Sequence, residues 1–194
     1  LAGLLGVGGG IVHVPAFFYA FSTLGYDGPQ LMQVCVATSL AAIVVTALRS
    51  LRAHHARGAV DWSILKAWAP GIALGAVAGM LAATRMGTDL LETIFAGLAA
   101  CLGLYFALGR AEWRLGPAMP TGARRAALAP GMGFLSALMG IGGGSFGVPL
   151  LSLYGVPMHR AVATAAGFGA AIALPAAAGF LLLDVAQAPP ATDR

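Results

Sequence analysis

Six apolar stretches dominate this chain: residues 2–21, 31–48, 67–84, 90–109, 128–154 and 161–183. Each is long enough, as a helix, to cross a hydrocarbon core of about 30 Å. Charged residues make up only 9% of the 194, and mean hydropathy is +0.85. Soluble domains carry about 25% charged residues, so this chain lacks the polar surface that water requires. The fold class follows: all-α, a polytopic transmembrane helix bundle in a lipid bilayer.

The net charge is +4. The basic residues lie mostly in two loops, without the interleaved aromatics on which bases stack. Nucleic acid is therefore not an expected partner. One loop holds Arg49, Arg52, Arg57 and Lys66, and another holds Arg110, Arg114, Arg124 and Arg125. The alternate loops hold Arg85 and Arg160. The positive-inside rule assigns the two basic loops to the cytoplasm of a bacterial-type inner membrane. The N-terminus and the tail after residue 183 then share that side. Arg160 and His159 fall on the outer side. His54 and His55 sit in the first basic loop, at the interface.

Cys35 and Cys101 lie inside apolar stretches and read as small hydrophobes. No metal-ligand spacing exists, and no cofactor is implied. Gly71, Gly75 and Gly79, like Ala163, Gly167 and Ala171, form small-xxx-small steps that let helices approach closely. Pro175 is expected to kink or locally unwind the sixth stretch.

A duplicated pattern carries the most information. Leu5-Gly6-Val7-Gly8-Gly9-Gly10 is followed by Val14-Pro15, and Met139-Gly140-Ile141-Gly142-Gly143-Gly144 by Val148-Pro149. A second pair follows in the same order, Val36-Ala37-Thr38 and Val162-Ala163-Thr164. The bundle thus reads as two internal repeats, each opening with a GxGGG motif. The first covers residues 1–127 with about four spans, and the second covers 128–194 with about two. On this reading the first span is cut short and two helices are missing after the sixth. If every stretch crosses fully, both motifs share one orientation; a re-entrant hairpin at either would change that.

The doubled Gly-x-Gly-Gly-Gly-x-x-x-Val-Pro, with the two Val-Ala-Thr strings, resembles the TauE/SafE family of membrane transporters, often called sulfite exporters. The resemblance covers essentially the whole chain. It implies about eight spans and a permease, not an enzyme, for sulfur-containing anions such as sulfite and organosulfonates.

The residues suggest how such a substrate is held. Consecutive glycines expose backbone N–H groups, and these nests, like helix N-termini, bind anions. Transporters built from repeats place such breaks near the midplane. Each motif, with its proline at a new helix start, is therefore a candidate unwound stretch feeding a half-helix. The candidate substrate-binding residues are Gly8, Gly9, Gly10, Gly142, Gly143 and Gly144, with the hydroxyls of Thr38, Ser39, Ser145 and Thr164. His13, an ionisable residue inside a span, joins them as an anion ligand or proton carrier. No Asp or Glu lies deep in a span, which favours a small anionic substrate over a cation. Self-association into a homo-oligomer stays open. Two readings compete: a non-transporting scaffold or nonfunctional fragment, and an intramembrane hydrolase using Ser145 with His13 or His159.

Overall fold

The computed structural model describes residues 10–26, 28–109 and 113–183. Seven helices occur among them: α1 (Gly10–Thr23), α2 (Leu31–Ala56), α3 (Trp62–Ala83), α4 (Thr88–Leu108), α5 (Gly122–Leu138), α6 (Gly143–Leu153) and α7 (Met158–Leu182). Four are long and apolar enough to cross a membrane, namely α2, α3, α4 and α7, while α1 and α6 are shorter apolar helices. The chain is a multi-pass membrane protein, but its spans are not six equal crossings.

The fifth apolar stretch is the clearest departure. It divides into α5 and α6 around a break at Met139–Gly142. The backbone chemistry explains why. α5 ends with Gly140 at φ +63°, in the left-handed region that favours glycine. The Gly140 N–H donates to Ala137 and the Ile141 N–H to Ser136, so two carbonyls at the helix end are satisfied. The chain then turns back. Successive contacts show α5 running parallel to α3: Gly71 lies against Ala129, Gly75 against Pro130 and Gly79 against Phe134. α6 runs antiparallel to α7, with Gly143 against Ala165 and Gly169 and Gly147 against Phe168. The Leu115 N–H, just before α5, donates to the carbonyl of Leu153 at the end of α6. Thus α5 and α6 form a re-entrant hairpin with both outer ends at one end of the bundle.

This corrects the expected topology. Arg160, at the start of α7, stands 3.6 Å from Asp61, in the turn between α2 and α3. Arg160 and His159 therefore share the end of the α2–α3 and α4–α5 loops, not the opposite one. Among the described residues, Arg49, Arg52, Arg57, Lys66, Arg114, Arg124, Arg125 and Arg160 gather at that end, leaving Arg85 at the other. The hairpin makes the charge asymmetry larger than a count of full crossings implied.

The helices that follow the two glycine runs also point in opposite directions, as the re-entrant alternative implies, and not in the shared orientation that full crossings would give. A Cβ on Gly10, the first residue of α1, would fall 2.5 Å from Ile141 Cα. Val14 packs on Gly140. α1 thus starts beside the α5–α6 break and runs to the end where Pro29 accepts from the Thr88 N–H. α6 starts at the same level and runs to the basic end. α2 and α7 lie antiparallel beside them, with Ala47 against Gly169.

Backbone proximity holds the rest together. A Cβ on Gly75 would overlap the carbonyl of Pro130, and one on Gly133 the carbonyl of Ile72. α3 and α5 therefore touch main chain to main chain, the lipid-phase equivalent of a packed core. Trp68 of α3 and Phe168 of α7 are buried with ring centres 6.5 Å apart. α7 remains one helix through Pro175, so the expected unwinding there does not occur.

Candidate functional site

The two glycine runs differ in what can be said of them. Gly8 and Gly9 lie outside the described residues. Gly10 is buried against Ile141. The second run is fully visible. Gly142 is the residue before α6, extended at φ −80° and ψ 177°, with no side chain capping the helix. The first N–H groups of α6 then have no acceptor within the helix and carry its positive dipole end.

These glycines do not share one environment. A Cβ on Gly143 would overlap the main chain of Gly169, so this residue serves packing against α7. Gly142 meets only the Ile43 side chain, at 3.2 Å. Beside it opens a cleft of about 260 Å³, lined by Gly142, Gly143 and Gly144 of α6, with α2 and α7 as its walls. The α7 wall is Val162, Ala165, Ala166 and Gly169, without a charged group.

The α2 wall supplies polarity. Thr46, Ser50 and His54 all line the cleft, at every fourth position of α2. Residues four apart share a helix face, so these three make a polar ladder from the basic end toward the α6 amides. Thr46 already donates to the carbonyls of Ala42 and Ile43. The ladder was absent from the sequence expectations. Its signal, hydroxyl, hydroxyl and imidazole at helical spacing, was hidden because α2 was ended at residue 48. It continues to Ala56, which places His54 and His55 on the last helical turn, not in a loop.

The other candidates separate. The Ser39 hydroxyl, fully buried, donates to the Gly140 carbonyl at 2.7 Å and so fixes the break. The Thr38 hydroxyl donates to the Val34 carbonyl of its own helix at 2.8 Å, and Thr38 faces a different cavity. The Thr164 hydroxyl, also buried, accepts from the Asp61 N–H at 3.0 Å. Ser145 is fully buried beneath the α6 start. His13 lies 6.0 Å from Phe17 between ring centres, and its Nδ1 is buried without a partner. Gln33 and Ser136 were not anticipated. The Gln33 amide donates to the Met86 carbonyl, while its Oε1 and the Ser136 Oγ are buried and unpaired. Buried polar atoms of this kind are rare and expensive in a membrane interior.

At the basic end, Asp61 caps α3. Its Oδ1 accepts from the Ser63 hydroxyl at 2.6 Å and from the N–H groups of Ser63 and Ile64. The Ser63 hydroxyl first, then the Ile64 N–H and the Arg160 charge, hold this carboxyl below its usual range against the opposing effect of burial. Among the described residues no cluster of His, Cys, Asp or Glu is suited to a metal ion.

Comparison with known proteins agrees with this architecture. Residues 1–192 match the family model described as Sulfite exporter TauE/SafE. A "Probable membrane transporter protein" of Haemophilus influenzae is 31% identical over 169 residues, covering 87% of this chain and 64% of its own. Another from Methanocaldococcus jannaschii is 26% identical, covering 86% of this chain and 62% of its own. One from Xylella fastidiosa is 32% identical, covering 77% and 56%. The chain thus spans somewhat less than two thirds of the length of the curated relatives it matches. No solved structure matches it significantly. A match over nearly all its residues, in a bundle of apolar helices broken at the second glycine run, makes this chain a member of the TauE/SafE family of membrane transporters.

Proposed function

We propose that this chain forms the substrate-binding core of a permease that moves a small anion, a sulfur oxyanion or organosulfonate, by secondary transport. One observation carries the reading: the cleft that joins the uncapped start of α6 to the Thr46, Ser50 and His54 ladder. The Gly143 and Gly144 amides supply oriented donors at a positive helix end. The ladder supplies neutral donors along the approach. Among the described residues no carboxylate lines the cleft to repel an anion. The arginines gathered at the same end of the bundle raise the local anion concentration.

The positive-inside rule puts the basic end in the cytoplasm of a bacterial-type plasma membrane, so the cleft faces inward. The placement of the N-terminus rests on residues 1–9, outside the described residues. The mechanism follows from the opposed half-helices. α1 with α2 and α6 with α7 form two repeats of inverted orientation, and rocking one against the other exchanges access between the two sides. Ser39, by holding Gly140, positions the break without touching substrate.

The test is counterflow of labelled sulfite and organosulfonates into proteoliposomes carrying the whole protein. Exchange is expected for one of these anions, with Ser50→Ala slowing it by about tenfold, the worth of one hydrogen bond to a charged group. No exchange of any of them, or exchange indifferent to both Ser50→Ala and His54→Ala, overturns the reading.

A further inference from the structure

We infer that a groove between the start of α2 and the end of α7 seats a further transmembrane helix, one that follows α7 in the whole protein as α3 follows α2. The groove is about 220 Å³, lined on α2 by Val34, Ala37, Thr38 and Ala41 and on α7 by Phe180 and Leu181 among others. It rests on the repeat correspondence, in which Val36-Ala37-Thr38 matches Val162-Ala163-Thr164.

Carrying that correspondence along the helices gives an independent check. The four α2 residues of the groove become Arg160, Ala163, Thr164 and Gly167 of α7. Three of these touch α3 or its cap. Arg160 pairs with Asp61, the Thr164 hydroxyl accepts from the Asp61 N–H, and Gly167 lies directly under Leu65. The fourth, Ala163, is fully buried. The opposite wall agrees at one position. Leu181 becomes His55, whose Nδ1 accepts from Trp62, the first residue of α3, at 3.2 Å. α3 therefore has its seat along the start of α7, and meets the end of α2 where Trp62 reaches His55. The groove between the end of α7 and the start of α2 is its counterpart.

The lining chemistry suits a helix more than lipid. Ala37, Thr38 and Ala41 are small, and the Thr38 hydroxyl is folded back on Val34, leaving a shallow floor for a close backbone. The relatives are long enough to supply the helix, since this chain spans only 64%, 62% and 56% of their lengths.

The test uses the whole protein with Cys35→Ala and Cys101→Ser, carrying Ala41→Cys or, should that variant fold poorly, Ala37→Cys. A lipid-soluble maleimide is expected to label the groove about tenfold more slowly than Leu74→Cys, which projects from α3 and is 72% exposed. A benzophenone maleimide at position 41 is expected to crosslink to a peptide that follows residue 183. Labelling as fast as at Leu74→Cys means lipid fills the groove and overturns the inference. Protection that disappears on dilution into excess lipid, or a crosslink to another copy, overturns it equally. None of these readouts depends on transport, so the anion site stands or falls separately.

Discussion

The contact between α3 and α5 and the start of α6 are both built from glycine, yet they do opposite things. Gly75, Gly79 and Gly133 bring two backbones together until no room for a methyl remains. Gly142 and Gly144 border open space instead. In the first region the missing side chain removes a steric barrier between helices. In the second it uncovers amides. Gly143, between the two, shares both roles: its Cβ would overlap α7, and it also lines the cleft. A glycine in a membrane helix is therefore assigned by what stands opposite it, not by the motif that contains it.

Substitutions can break this contrast. Gly75→Ala has the largest expected effect. The new methyl meets the Pro130 main chain, which cannot rotate away, so a loss of about 3 kcal/mol or more is expected. Size-exclusion profiles in mild detergent would show little monodisperse protein; a normal profile would mean that α3 and α5 separate easily. Ser39→Ala comes next. It leaves the buried Gly140 carbonyl without its donor, worth about 1–3 kcal/mol in thermal unfolding. An unchanged midpoint would show that the break holds itself.

Gly142→Ala separates the two roles directly. Its methyl meets a movable Ile43 side chain, so stability should fall by under about 1 kcal/mol. Anion binding should nevertheless weaken by about tenfold, because the methyl crowds the approach to the amides. Parallel loss of both would reduce the cleft to a packing defect.

The smallest effect lies at Asp61. Its carboxyl is held below the ordinary value, so its contribution is complete above about pH 5 and is lost as pH falls through the lowered value. Thermal midpoints should be level from neutral pH to about pH 5 and then decline, less so in Asp61→Asn. An identical acid decline in that variant would show that the α3 cap and the Arg160 contact contribute nothing.

The sequence made the bundle legible because apolar length is a strong signal, and the glycine break legible because the motif occurs twice. It did not reveal the turn at residues 139–142 as a reversal. Hydropathy runs unbroken from α5 into α6, so one long stretch concealed two antiparallel helices. Counting that stretch as one full crossing, with a re-entrant hairpin only as the alternative, moved Arg160 and His159 to the wrong end and gave the helices after the two motifs a common direction. The Thr46, Ser50 and His54 ladder was lost differently. Arg49 and Arg52 looked like a loop, although arginines at the end of a long helix reach the interface without ending it. Ser39 stands among the candidate substrate-binding hydroxyls, but its bond to the Gly140 carbonyl, 101 positions away in the chain, is a fact of tertiary structure.

The meeting of Gly10 with Ile141 has an electrical consequence. Were the proposed anion path wetted from both ends of the bundle, the partition beside Gly10 and Ile141 would be only a few residues thick. Membrane voltage drops where water cannot follow, so most of the field would then fall across that short partition instead of the full bilayer. An anion lodged by the α6 amides would sit almost at the potential of the basic side. Nearly all of the roughly 2.3 kcal/mol per charge that 100 mV supplies would then act on one short step past Gly10.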